Sequence, residues 1–402
     1  LNSRSTTLRC LPSPCWPNHY YYLASPTLPA MGQQLGGVEP PFPLQALLPW
    51  GMHQAPVTQK DSGDGRCTAT GLMWGYSCMQ GWRESMEDAH VAKPRLRPPS
   101  PRPPMSENWG DTSIFAVMDG HGGEQVARFC EMHLPNEIAK RSFWEIAAAL
   151  RSAFHCMDEM LMDPRSHPLL RSLSRHPPAV RTVDPCLIGC TAVVCCVCPD
   201  TIVVANAGDS RAVLCRHGMA VDMSEDHKPN LPGEHARIEN AGGCVMNQRL
   251  GPHVLHRVNG DLSLSRSIGD LRFKQNSKLA PEQQIVCATP DIRIFQRQPD
   301  DEFMIIACDG IWDVLTSQQV VDFIRPRLQD LLNGTIKMSN VIEHLLDACL
   351  SPDPRRTYGI GGDNMTMVVV AFTPPPSLEQ DLLPSLLHTC QPRKATPCLT
   401  CA

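Results

Sequence analysis

The sequence predicts an α+β domain in which long helices are set between meanders of antiparallel sheet. Apolar, β-branched runs at 190–198, 202–207 and 211–216 are separated by turns as short as Pro199-Asp200 and Gly208-Asp209-Ser210. Connections of that length join antiparallel neighbours, since a parallel return needs a crossover of about a dozen residues. Apolar residues recur with helical spacing at 123–134, 143–161, 234–241, 317–333 and 338–349. Further strands are expected at 69–80, 114–118, 302–308 and 365–372.

Residues 1–66 read as an irregular leader, rich in Pro, Ser and Gly, with Tyr20, Tyr21 and Tyr22 clustered and no sustained periodicity. A start at Met31 would offer Gly32 to myristate, although Gly36 stands where that motif has Ser or Thr. The folded domain is expected over 67–373, followed by a Pro-rich tail at 374–402. Two segments read as additions. The basic stretch KPRLRPPSPRPPMSENWG at 93–110 is a polyproline spacer whose PxxP spacing would also suit an SH3-type contact. Residues 163–185 carry RSLSR among prolines and are expected to form a mobile loop open to phosphorylation.

Hydrophobic residues make up 42% of the 402, enough for a sizeable core, and the net charge of -5 argues against a general nucleic-acid binder. No apolar run approaches the ~18 residues needed to cross a bilayer. The start lacks a signal-peptide pattern, so the 19 cysteines are expected to be reduced, in the cytoplasm and/or nucleus, in a monomer. Cys195 and Cys198 have zinc-like spacing within the crowd Cys186, Cys190, Cys195, Cys196 and Cys198. With no second pair at a matching distance, cysteine reads there as a small apolar residue of a buried strand.

The chemistry concentrates at strand margins. Residues 114–123, IFAVMDGHGG, run apolar and then stop at Asp119, Gly120 and His121. Asp309 ends MIIACD and is followed by Gly310, repeating that pattern. Glu87 and Asp88 lie in RESMEDAH after a strand, and Asp363 and Asn364 lie in GIGGDN before MTMVVVAF. Carboxylates gathered at the ends of a packed sheet repel one another unless a counter-ion is present. Carboxylates with a backbone carbonyl suit Mg²⁺ or Mn²⁺, and Gly120 would let the chain approach such an ion closely. Neither GxxxxGK nor GxGxxG occurs here, which argues against a phosphate-cradling loop.

In these residues the chain resembles the metal-dependent Ser/Thr protein phosphatases, also called protein phosphatase type 2C or PPM. The likeness covers about Gly71 to Phe372 and rests on nine motifs in the family's order: RESMEDAH, FAVMDGHGG, GCTAVV, NAGDSRAVL, EDHKP, RIENAGGCV, RVNGDLSLSRSIGD, ACDGIWDVL and GGDNMTMVVV. The resemblance implies two stacked antiparallel sheets flanked by helices, an α-β-β-α sandwich, with a dinuclear Mg²⁺ or Mn²⁺ centre that activates a bridging water against phosphoserine and phosphothreonine in proteins. It implies that Asp119 bridges the ions, the Gly120 carbonyl binds one, and Asp309 and Asp363 bind the other. Glu87 and Asp88 would support them through bound water. It makes Arg83 the grip on the substrate phosphate and His121 the general acid, and it puts Asp209 and Asp313 at a weaker third ion. The chain departs from the family by the longer loop at 93–110 and by an insertion at 250–256, which bear on substrate preference.

Two rivals are weaker. Cys-x₅-Arg, the spacing of cysteine-based tyrosine phosphatases, occurs at Cys349–Arg355 and Cys287–Arg293 without the glycines or preceding His of an anion-binding loop. A non-catalytic scaffold of the same fold would be expected to have lost acids that are all present here.

Overall fold

Strands covered on both faces read as continuous apolar runs, and the middle of this chain has that pattern. A computed structural model describes residues 52–96, 109–174 and 183–372, all within the unit Leu47–Ala402. The first elements are β1 (Met52–Cys67), β2 (Leu72–Arg83), β3 (Ala89–Lys93), β4 (Ser113–Met118), β5 (Gly120–His121), α1 (Gln125–Ala139), α2 (Ile146–Met162) and α3 (His167–Ser172). Next come β6 (Gly189–Cys190), β7 (Ala192–Val197), β8 (Thr201–Ala207), β9 (Arg211–Arg216), β10 (Met219–Asp222), α4 (Pro232–Asn240), β11 (Val245–Leu250) and β12 (His253–Val258). The last are β13 (Ile268–Gly269), β14 (Asp291–Gln296), β15 (Asp301–Ala307), α5 (Asp309–Trp312), α6 (Ser317–Ile324), α7 (Leu328–Leu332), α8 (Met338–Cys349) and β16 (Met365–Phe372).

Two antiparallel sheets organise these elements, in the orders β1-β2-β16-β15-β9-β10 and β14-β8-β7-β4-β3. Alternation along each strand sorts its side chains into layers. On β4, Phe115 and Val117 enter the core shared by the sheets, whereas Ile114, Ala116 and Met118 pack with α1 and α2. On β15, Met304 and Ile306 face the shared core, whereas Phe303, Ile305 and Ala307 lie under α6 and α8. The fold is therefore the expected α-β-β-α sandwich. The same alternation sends Cys195 into the shared core and Cys196 to the helix side, so the cysteine-rich β7 packs as an apolar strand.

Several expectations are corrected. Residues 52–66, read as leader, form β1, which pairs antiparallel with β2. Its run TQKDSGDGR is an edge strand with much of its surface exposed, so it carries no apolar alternation to detect. The short turn Gly208-Asp209-Ser210 does not join sheet neighbours, because β8 and β9 belong to different sheets. Gly208 makes that switch with φ +119, and a Cβ there would stand 2.5 Å from the Thr191 Cβ. The helix expected over 317–333 breaks at Pro326, which lacks an N–H, into α6, the turn Arg325–Arg327 and α7. Residues 164–172, expected to be loop, are helical, and 175–182 lie outside the described residues. The insertion at 250–256 forms the tip of the β11–β12 hairpin. The leader up to 51, including Gly32, most of the polyproline loop and the tail beyond 372 also lie outside the described residues. No described helix is long and apolar enough to cross a membrane.

Candidate active site

Two strands from different sheets end in the same dipeptide, β4 in Asp119–Gly120 and β15, after Cys308, in Asp309–Gly310. A Cβ on Gly120 would stand 2.2 Å from the Glu87 carbonyl oxygen, and one on Gly310 2.0 Å from that of Asn364. Each glycine thus lets a strand end press against the backbone of another acidic loop. Asn364 ties those loops together: its Nδ2 donates to the carbonyls of Gln80 (2.8 Å) and Ser85 (2.9 Å), and its Oδ1 accepts from the Glu87 N–H (2.9 Å). Thr191 accepts from the Asp119 N–H at 3.1 Å, and its hydroxyl lies 2.7 Å from that of Ser210, beside Asp209.

This scaffold gathers most of the expected acids. Burial raises the Asp119 carboxyl well above its usual range, and Asp88, Asp309, Asp363 and Asp209 push it further. Asp309 is raised likewise by burial, then by Asp209, Asp313 and Asp363. Asp313, one helical turn beyond Asp309, keeps an exposed surface, and partial desolvation raises its carboxyl against the opposing charge of Lys228. Asp88 is 4% exposed and pushed up to about 7 by burial, with Thr366 and Cys308 opposing and Asp363 and Glu87 adding. Neither Asp88 oxygen has a hydrogen-bond partner of ordinary geometry among the described residues. Glu87 is engaged differently, its carboxylate accepting from the Ser85 hydroxyl (2.7 Å) and the Gly123 N–H (3.1 Å).

One ligand atom from each of Asp88, Asp119 and Cys308 lies within 4.8 Å of the other two. A buried carboxyl without an ordinary donor, set beside a second, half-buried one, is an arrangement a divalent cation satisfies, and oxygen ligands of this hardness fit Mg²⁺ or Mn²⁺. Cys308, which the sequence reading did not single out, is a poor ligand for such ions. Burial and the neighbouring acids hold its thiol well above the usual range, and it accepts from the Thr366 N–H at 3.1 Å.

Basic groups meet this cluster at its edges. Arg83 pairs with Asp363, and although burial opposes it, Asp363, Asp309 and Asp119 keep the guanidinium firmly charged. His121, on β5, places Nε2 2.7 Å from Asp270 Oδ2. Burial would depress its pKa, but Asp270 outweighs that and holds it above the ordinary value. Asp270 is itself buried, accepts from the Ser267 hydroxyl at 2.6 Å and is held below the usual carboxylate range by His121, Ser267 and Lys274. A Cβ on Gly189 would stand 2.2 Å from Asp270 Oδ2, so that glycine leaves room for the pair. Sequence reasoning missed Asp270, although it closes the quoted SRSIGD motif as an acid directly after glycine.

A profile of the family described as Protein phosphatase 2C matches residues 73–356, which include every expected site residue except Asp363. The chain belongs to the protein phosphatase 2C family. It is 40% identical over 341 residues to Probable protein phosphatase 2C 42 of Oryza sativa subsp. japonica, covering 80% of this chain and 90% of that one. It is 43% identical over 322 residues to Protein phosphatase 2C homolog 2 of Schizosaccharomyces pombe, covering 79% and 77%. A crystal structure of a phosphatase from Toxoplasma gondii shares 25% identity with a TM-score of 0.57, covering 78% of this chain and 96% of that one. The serine-threonine phosphatase 2C of Toxoplasma gondii, at 18% identity and a TM-score of 0.59, shares the fold. This protein phosphatase 2C is accordingly a metal-dependent serine/threonine phosphatase that acts on phosphoproteins. The cysteine-based rival finds no support, since Cys287 and Cys349 are each 2% exposed and burial pushes the Cys349 thiol up to about 12.

Proposed function

We propose that hydrolysis of phosphoserine and phosphothreonine proceeds at a pair of Mg²⁺ or Mn²⁺ ions held by Asp119, the Gly120 carbonyl, Asp309 and Asp363. Glu87 and Asp88 lie at the margin of that pair, and Asp209 and Asp313 form a flank able to take a third ion. The observation that carries this reading is a set of mutually repelling carboxyls, Asp88 buried and Asp119 and Asp309 half-buried, in which neither Asp88 oxygen has a hydrogen-bond partner of ordinary geometry. Bound there, such ions would lower the pKa of a shared water and draw charge from the phosphoryl oxygens.

The chain's own residues supply the rest. The Arg83 side chain is 44% exposed, and its planar fork suits a bidentate grip on a phosphate. Its present partner, Asp363, holds that fork at the cluster. Asp270 accepts from Nε2 of His121, which leaves Nδ1 as the nitrogen to pass a proton to a leaving serine or threonine alkoxide. The charge of Asp270 favours the protonated imidazole that this role requires.

Hydrolysis of a phosphothreonine peptide by the wild type, Asp119→Ala and Asp309→Ala, with and without Mn²⁺, tests the reading. Turnover is expected from the wild type with Mn²⁺ alone. Equal turnover in every sample contradicts it.

A further inference from the structure

Besides His121, Arg83 and Lys228 reach the acid cluster, and these two are mounted differently. Arg83 comes from the end of β2. Lys228 comes from the EDHKP loop between β10 and α4, with Nζ 2.6 Å from Asp209 Oδ2. Asp209 is 3% exposed, and Lys228 also opposes the upward push on Asp309 and on Asp313. Its positive charge is therefore shared by the three acids of one flank.

The loop that carries Lys228 is pinned from several sides. Asn206 Nδ2 donates to the Glu225 carbonyl at 2.9 Å. The His227 N–H donates to the Gly208 carbonyl at 2.9 Å, and the Gly208 N–H donates back to His227 Nδ1 at 3.2 Å. Ser265 donates to the His227 carbonyl through both its N–H (3.1 Å) and its hydroxyl (3.0 Å). Gly208 and Asp209 belong to the turn that switches sheets, so the acid and its lysine are fixed to one another through backbone. The Asp88 side of the cluster contrasts with this, since its carboxylate lacks a donor.

We propose that Lys228 is a tethered counter-cation, a positioning residue whose ammonium neutralises the Asp209–Asp309–Asp313 flank and thereby weakens divalent-cation binding there. The inference rests on the cluster being a divalent-cation centre. A cation arriving at this flank meets a fixed positive charge and has to displace the ammonium from Asp209. One arriving beside Asp88 meets a carboxyl that no basic side chain contacts. The lysine thus grades the two sides of one acid cluster, favouring occupation at Asp88 and Asp119 and holding the far side to weak binding.

Titration with Mn²⁺ alone, followed by the free-ion EPR signal and by calorimetry, tests this on the full chain. Lys228→Met removes the charge at similar bulk, Lys228→Arg keeps it, and Asp209→Asn added to Lys228→Met removes the acid that the charge offsets. Lys228→Met is expected to bind one further Mn²⁺, or to bind its weakest Mn²⁺ about tenfold more tightly. Lys228→Arg is expected to follow the wild type, and the double variant to lose the gain. A merely structural lysine would give the opposite sign, because loosening the loop weakens binding. Superimposable isotherms for the wild type and Lys228→Met, or weaker binding by a Lys228→Met protein that melts normally, overturn the proposal. Absence of Mn²⁺ binding in every variant overturns the metal-centre reading, and this proposal with it.

Discussion

Asp270, bonded to His121, and Asp119, two residues before it in the chain, are driven in opposite directions. Both are subject to burial, which on its own raises a carboxyl. Asp270 has His121, Ser267 and Lys274 around it and falls below the usual range. Asp119 has Asp88, Asp309, Asp363 and Asp209 around it and rises well above. Partners, not burial, decide the sign. The Asp270 side is complete as the chain folds, with its charge matched by protein groups, whereas on the proposed reading the Asp119 side is completed by a cation from solution.

Variants should separate the two sides. Asp119→Asn is expected to lower activity at least about a thousandfold, since on the proposed reading charge stabilisation at the reacting phosphate depends on it. In chelator the same variant should melt no lower than the wild type, because it removes the charge of a half-buried group that repels its neighbours. A clear loss of melting temperature in thermal denaturation with EDTA would contradict the contrast. Asp270→Asn, on the complete side, should lower kcat about a hundredfold while KM stays within about twofold. A rise in KM with unchanged kcat would instead make Asp270 a substrate contact. Arg83→Ala should raise KM about tenfold by removing the proposed phosphate grip.

The two kinds of acid also predict opposite pH responses. Glu234 accepts from Arg237 (2.7 Å), Ser265 (2.5 Å) and Arg266 (2.7 Å), and although burial opposes them they lower its pKa to about 2. A depressed carboxyl contributes stability above its unfolded value, lost as pH falls from roughly 4.5 to 2. Asp88 is raised to about 7, so its charged form costs stability above that pH and is relieved as pH falls toward about 4. In chelator the protein should therefore gain stability from pH 8 to about 5 and lose it below about 4. Mn²⁺ at about a hundred times its Kd should flatten the first limb and add about 2.7 kcal/mol at pH 7. Denaturant titrations across this range check both limbs.

How far the sequence led follows from the same physics. Asp119 and Asp309 were legible because each interrupts a strand buried on both faces and is followed by a glycine. The acids of RESMED and GGDN were legible because they flank such strands. Asp270 was not, since it follows the two-residue β13 and its meaning depends on His121, 149 residues away in sequence. β1 escaped because its outer face is polar, and β8 and β9 were wrongly made neighbours because turn length does not reveal a change of sheet. The helix expected over 317–333 shows a simpler failure, in which apolar spacing was allowed to outweigh Pro326.

Anomalous scattering from crystals grown with Mn²⁺ tests the central claim most directly. The account predicts peaks at the strand ends within reach of Asp119, Asp309 and Asp363, absent from crystals of Asp119→Asn. Crystals of active protein without an ion among those side chains, or with its only ions elsewhere, would contradict it.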